Sequence, residues 1–162
     1  MEVIKNSHIY SPQDFLGRHI IAEFFDADYD ALNNAKELLE AMKKAAETAG
    51  ATVLSGHEHR FEPHGVSAVV IIQESNLCIH TWPEANYAAA DFFTCGDTVN
   101  PWVSFDDLKV FLKSKRFHCM ELQRGCTQLM DKTKRLTIGQ VQTALNVSGV
   151  DGHATKVTSQ AI

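Results

Sequence analysis

Between residues 65 and 95 the chain offers three strand-like stretches in succession, with only short turns between them. "GVSAVVIIQ" (65–73) is a long apolar run, "NLCIHTW" (76–82) alternates, and "YAAADFFTC" (87–95) is small and aromatic. Strands joined this tightly pair antiparallel, because a parallel neighbour needs a crossover of a dozen residues or more. A further strand, "RHIIAEFF" (18–25), precedes them, and "ATVLSGHEH" (51–59) leads into them. Leu32, Ala35, Leu38, Leu39, Met42, Ala45 and Ala46 recur at three- and four-residue steps, which predicts one amphipathic helix over 29–49, stopped at Gly50. "NPW" (100–102) opens a second helix, with Phe105, Leu108, Val110, Phe111 and Leu112 on its apolar side, and "RFHCMELQRG" (116–125) reads as a last strand. The order strand, helix, four strands, helix, strand predicts an α+β two-layer sandwich. Its sheet is antiparallel-rich and carries two main helices on one face. The uncovered face of such a sheet favours a dimer.

The 162 residues suffice for one domain with its own core, over 1–126, and the segment 127–162 reads as a C-terminal extension. That tail is poor in aromatics. It is expected to be peripheral and partly mobile, with a short helix near 136–146. A net charge of −5 and the absence of a basic block argue against a nucleic-acid partner. "KSKR" (113–116) and "DKTKR" (131–135) read as solvated surface. No run of 18 apolar residues suits a membrane span, the N-terminal stretch lacks a signal-peptide core, and the four cysteines (78, 95, 119, 126) show no CxxC spacing. Reduced thiols in a cytoplasmic protein are the expectation.

The chemistry concentrates in "QESNLCIHTWPE" (73–84), where an acid, a hydroxyl and an imidazole (Glu74, Ser75, His80) follow a buried strand. Serine at a strand end is commonly a turn residue, and a nearby histidine a satisfied surface group. Three features weigh against that reading. Ser75 lies where a buried strand meets a tight connection, so its hydroxyl could attack the neighbouring Glu74 carbonyl with no binding event. His80 is expected close enough, across a short strand-turn geometry, to serve as a base. Cys95 ends the adjacent strand, followed by Gly96.

"ESNLCIHTWPE" followed by "YAAADFFTCGD" resembles the processing region of the prokaryotic S-adenosylmethionine decarboxylases. The resemblance extends through "LGRHIIAEFFDAD" (16–28), "AAETAGATVLS" (45–55), "HRFEPHGVSAVVII" (59–72) and "DTVNPWVSFDDLK" (97–109), covering roughly residues 16–124. It implies self-cleavage between Glu74 and Ser75 into a β chain 1–74 and an α chain 75–162. The Ser75 hydroxyl would form an ester with Glu74, and elimination and hydrolysis would leave a pyruvoyl group at the new N-terminus. That self-made cofactor would bind the substrate amine as a Schiff base and accept the electron pair left by carbon dioxide. The same resemblance implies the remaining roles. His80 and Ser67 would assist processing, Cys95 would donate a proton after decarboxylation, and Phe61 would stack on adenine. Glu84 would bind ribose hydroxyls, His80 would lie beside the nucleoside, and no metal would be required. It also implies a homodimer packed sheet to sheet in a four-layer αββα arrangement, making the aminopropyl donor for spermidine.

The pattern departs in places. Asn76 stands where the family has histidine, so that position cannot titrate. Cys78 reads as a buried structural thiol. Glu58, Glu62 and His64 flank Phe61 where relatives carry apolar or aromatic groups, which leaves open ornithine or arginine as the substrate. Two readings from other classes remain: an unprocessed regulatory paralogue, and a metal site at His57, His59 and Glu62. Alternation puts the two histidines of that site on one strand face.

Overall fold

The computed structural model describes residues 14–130, 147–151 and 156–157. β1 (Phe15–Phe25) is followed by α1 (Tyr29–Asn33), α2 (Ala35–Thr48), β2 (Thr52–Arg60), β3 (Val66–Gln73), β4 (Ser75–Trp82), β5 (Tyr87–Cys95), α3 (Pro101–Phe111), β6 (Arg116–Cys126) and α4 (Thr127–Met130). β7 (Val147–Asp151) and β8 (Lys156–Val157) complete one antiparallel sheet in the order β2-β3-β4-β5-β1-β6-β7-β8. The α+β sandwich expected from the sequence is the fold observed, with α2 and α3 packed against each other and on one face of the sheet.

Alternation sets that face. Val66, Ala68, Val70 and Ile72 of β3, Leu77 and Ile79 of β4, and Ala88, Ala90 and Phe92 of β5 point inward and are buried. Leu38, Met42, Ala45 and Ala46 of α2 and Phe105 and Leu108 of α3 close over them. Each fully buried Leu or Met side chain contributes about 1.5–3 kcal/mol. Residues of opposite parity form the other sheet face, which none of the described helices covers. Ile21, Ile71 and Trp82 are exposed on it.

The single helix expected over 29–49 is two. Asn34 has extended φ and ψ of −96° and 92°; it ends α1 and caps α2, its side chain accepting from the Glu37 N–H at 3.3 Å. The apolar repeat runs unbroken through this point, so periodicity is blind to a break that a cap makes. The kink matters for position. Asn33 accepts from Gly65 N–H at 3.1 Å, and the Thr81 hydroxyl donates to the Leu32 carbonyl while accepting from Val66 N–H, each at 2.8 Å. α1 thereby pins the β2–β3 turn.

β7 and β8 belong to the C-terminal segment, at the outer edge of the sheet. β7 pairs with β6 from Leu122↔Val147 to His118↔Asp151, occupying an edge whose N–H and C=O groups would otherwise face water. The helix expected near 136–146 lies outside the described residues. Among those described, no helix is long and apolar enough to cross a membrane.

Candidate active site

β3 and β4 form a hairpin in which Ile72 pairs with Ser75, leaving Gln73 and Glu74 as a two-residue connection. Glu74 is exposed at its tip and Ser75 is half-buried just behind it. Ser75 has φ of 155°, a region that side chains other than glycine rarely adopt, and such conformations persist where the surrounding structure imposes them. On its other side Ser75 pairs with Thr94, and Cys95 follows one residue further, half-buried and paired with Gly17. Gly96 (φ 71°) turns the chain away. Glu74, Ser75 and Cys95 thus gather at one end of the sheet.

Ser67, His80, Phe61 and Glu84 gather at the other. Ser67 and His80 face each other across β3 and β4, with the Ser67 hydroxyl 2.7 Å from His80 Nδ1. Phe61 is held in the β2–β3 turn by its N–H donating to the Gly65 carbonyl at 2.8 Å. Gly65 (φ 103°) holds a backbone conformation that side chains rarely adopt, and a Cβ there would lie a tight 3.1 Å from the Thr81 carbonyl. The Phe61 ring is 47% exposed and meets His59 nearly edge-on at 4.7 Å. Glu84, in the short turn after β4, pairs with His64 Nε2 at 3.0 Å.

This arrangement corrects the expected proximity of His80 to Ser75. Both belong to β4, which is paired on both sides along its length, so they lie five residues apart on an extended strand. At about 3.4 Å per residue that is about 17 Å. No turn folds His80 back, and within one chain it cannot take a proton at Ser75.

The other expectations fall out as follows. Cys78 is half-buried on the uncovered face rather than enclosed in the core. Burial pushes its thiol above the ordinary value against the Asn76 amide, which donates to Sγ at 3.2 Å, and the Asp91 carboxylate opposite adds to the rise. Glu58 and Glu62 are exposed. His57 and His59 share a strand face, but among the described residues no three His, Cys, Asp or Glu side chains form a group that could hold a metal.

Sequence reasoning missed a cluster on the uncovered face. His19 Nε2 lies 2.9 Å from Asp91, and Arg124 approaches His19 Nδ1 at 3.3 Å with its guanidinium 4.8 Å above the Phe93 ring. Arginine can only donate, so Nδ1 accepts and Nε2 donates to Asp91. These partners stand 72 and 105 residues apart, beyond any local spacing signal.

Residues 18–125 match the S-adenosylmethionine decarboxylase family. A chain of Thermosipho africanus named an S-adenosylmethionine decarboxylase proenzyme is 56% identical over 110 residues, spanning 68% of this chain and 85% of that one. One of the same name from Thermotoga maritima is 53% identical over the same length and shares. The crystal structure of the adenosylmethionine decarboxylase of Aquifex aeolicus superposes with a TM-score of 0.65 at 34% identity, over 69% of this chain and 92% of that one. With a family match over 18–125, more than half the residues identical over 68% of its length and a common sheet architecture, the chain belongs to the S-adenosylmethionine decarboxylase family.

Proposed function

We propose that this chain is a precursor that cleaves itself between Glu74 and Ser75 and then decarboxylates S-adenosylmethionine, supplying an aminopropyl donor. The observation that carries the reading is the hairpin tip. An exposed Glu74–Ser75 peptide there is backed by a serine in a rarely adopted conformation, beside a half-buried thiol. These residues fit a pyruvoyl group formed from Ser75. Once formed, that group supplies a carbonyl that takes up the substrate amine and accepts the electron pair released with carbon dioxide.

The rest is the work of side chains. Cys95 Sγ returns a proton to the substrate carbon. The exposed Phe61 ring offers a face to the adenine. Glu84 accepts from the ribose hydroxyls, sharing its carboxylate with His64, as their 3.0 Å contact requires. Ser67 and His80, already hydrogen-bonded, assist cleavage, Ser67 by donating to the developing oxyanion and His80 by removing the proton lost in elimination.

Because about 17 Å of strand separates His80 from Ser75, the site is completed by a second copy. Two uncovered faces packed about a two-fold axis lying between the sheets, across the strands, run their strands in opposite directions. His80 and Ser67 of one copy then meet Cys95 of the other on the face they share, at the end of the sheet where the Glu74–Ser75 peptide turns. The exposed Ile21, Ile71 and Trp82 supply apolar area for that contact.

The test is the intact mass of freshly purified protein before and after borohydride, followed by carbon dioxide release from carboxyl-labelled S-adenosylmethionine, ornithine and arginine. Two fragments, a reducible carbonyl at residue 75 and release from S-adenosylmethionine alone are expected. A persistent full-length mass overturns the cleavage, and release from a basic amino acid overturns the substrate.

A further inference from the structure

Thr94 is 1% exposed, and its hydroxyl has no hydrogen-bond partner among the described residues. Only one other buried side-chain atom described shares that condition, Gln123 Oε1. Strand register puts both in a single row across the helix-covered face: Ser75 opposite Thr94, Thr94 opposite Arg18, Arg18 opposite Gln123. Arg18 does not satisfy Thr94, because it turns to Glu121, which also accepts from Trp102 Nε1 at 2.6 Å. A buried hydroxyl is costly to leave unpaired, and one in a native structure calls for an explanation.

The explanation lies opposite. Side chains directly facing each other across antiparallel strands have Cβ atoms about 4.5–5.5 Å apart, so the Thr94 hydroxyl is within reach of position 75. β1 holds it there. A Cβ on Gly17 would come within 2.7 Å of the Thr94 carbonyl, a measure of how closely the two backbones approach. As a β-branched residue, Thr94 is also stiff about χ1.

We propose that the Thr94 hydroxyl is the donor to the ketone oxygen that processing creates at position 75, and that Thr94 is a catalytic residue of the processed site. This rests on the cleavage reading above. In the precursor, position 75 carries no ketone, and its hydroxyl leaves Thr94 unpaired. Elimination breaks the Cβ–Oγ bond, Oγ leaves with the Glu74 carboxylate, and the enamine left behind tautomerises to an imine. Water then adds and ammonia departs, so an sp² oxygen replaces nitrogen on the former Cα. A cavity of about 330 Å³ lined in part by Arg18 and Gln123 opens at the far end of the row. A hydrogen bond from Thr94 would fix the plane of the ketone and draw charge from its carbon, favouring attack by the substrate amine.

The experiment compares wild type, Thr94→Val and Thr94→Ser, with Thr94→Ala read in place of valine should that variant not fold. Cleavage is followed by intact mass, the ketone by difference infrared spectroscopy on protein labelled with ¹³C-serine, and turnover by carbon dioxide release. Thr94→Val is expected to cleave, to show its ketone band at higher frequency, and to lose at least about tenfold in kcat; Thr94→Ser should restore both. An unmoved band with unchanged kcat overturns the proposal. So does a folded Thr94→Val chain that never cleaves, because the hydroxyl would then be needed before its acceptor exists. A wild-type chain that never forms the ketone refutes the cleavage reading instead, and is recognised before any variant is compared.

Discussion

The two ends of β4 are built from the same sheet and do opposite things. At the Ser75 end a peptide bond is exposed at a hairpin tip, with a thiol beside it and a buried hydroxyl left unpaired. At the His80 end a serine and an imidazole are already joined at 2.7 Å, with an exposed aromatic ring and a carboxylate nearby. One end holds the bond proposed to break; the other holds the imidazole proposed to act on it. A strand hydrogen-bonded on both sides is a rigid spacer, so the two halves of the proposed site stay apart in one chain, and the proposal joins them between two.

The strongest break in that contrast comes from separating the halves genetically. Ser75→Ala alone should leave an uncut, inactive chain, and His80→Ala should be nearly so. Co-expressed, the two should recover about a quarter of wild-type turnover, since half the random dimers are mixed and each mixed dimer has one intact site. Recovery indistinguishable from either parent would place the whole site within one chain. Next in size, Cys95→Ala should still yield two fragments by intact mass but lower kcat by about 10²- to 10⁴-fold. A block in cleavage would instead assign the thiol to processing.

The smallest effect concerns stability. Burial opposes ionisation of Glu121, but Arg18 and Trp102 donate to it and hold its carboxyl below the ordinary value of about 4.5. A carboxyl lowered on folding stabilises the native state above its unfolded value, and that contribution is lost as pH falls through the lower, folded value. Glu121→Gln should therefore melt below wild type at pH 7, and the gap in Tm should narrow below about pH 4. A gap that widens in acid would break the assignment.

How much was legible in the sequence depended on distance along the chain. The helix-covered face could be read from the alternation of Val66, Ala68, Val70 and Ile72, because side-chain direction in a strand is decided residue by residue. The structure joins Ser67 to His80, thirteen residues away across one hairpin. By contrast, Asn34 breaks a helix whose apolar repeat continues, because capping competes with the helix through one side chain and leaves no trace in periodicity. β7 escaped notice because an edge is filled according to what its neighbour leaves unpaired, and that is a property of β6.

By itself, then, the sequence determined the antiparallel meander, the face the helices cover, and the family to which the run of residues 74–84 points. Tertiary structure alone decided that Ser75 and His80, five residues apart and apparently neighbours, stand about 17 Å apart. It also decided that Thr94, unremarked among apolar neighbours, stands opposite Ser75. The physical reason is that an extended chain turns nearness in sequence into distance in space, while pairing between strands brings remote residues together.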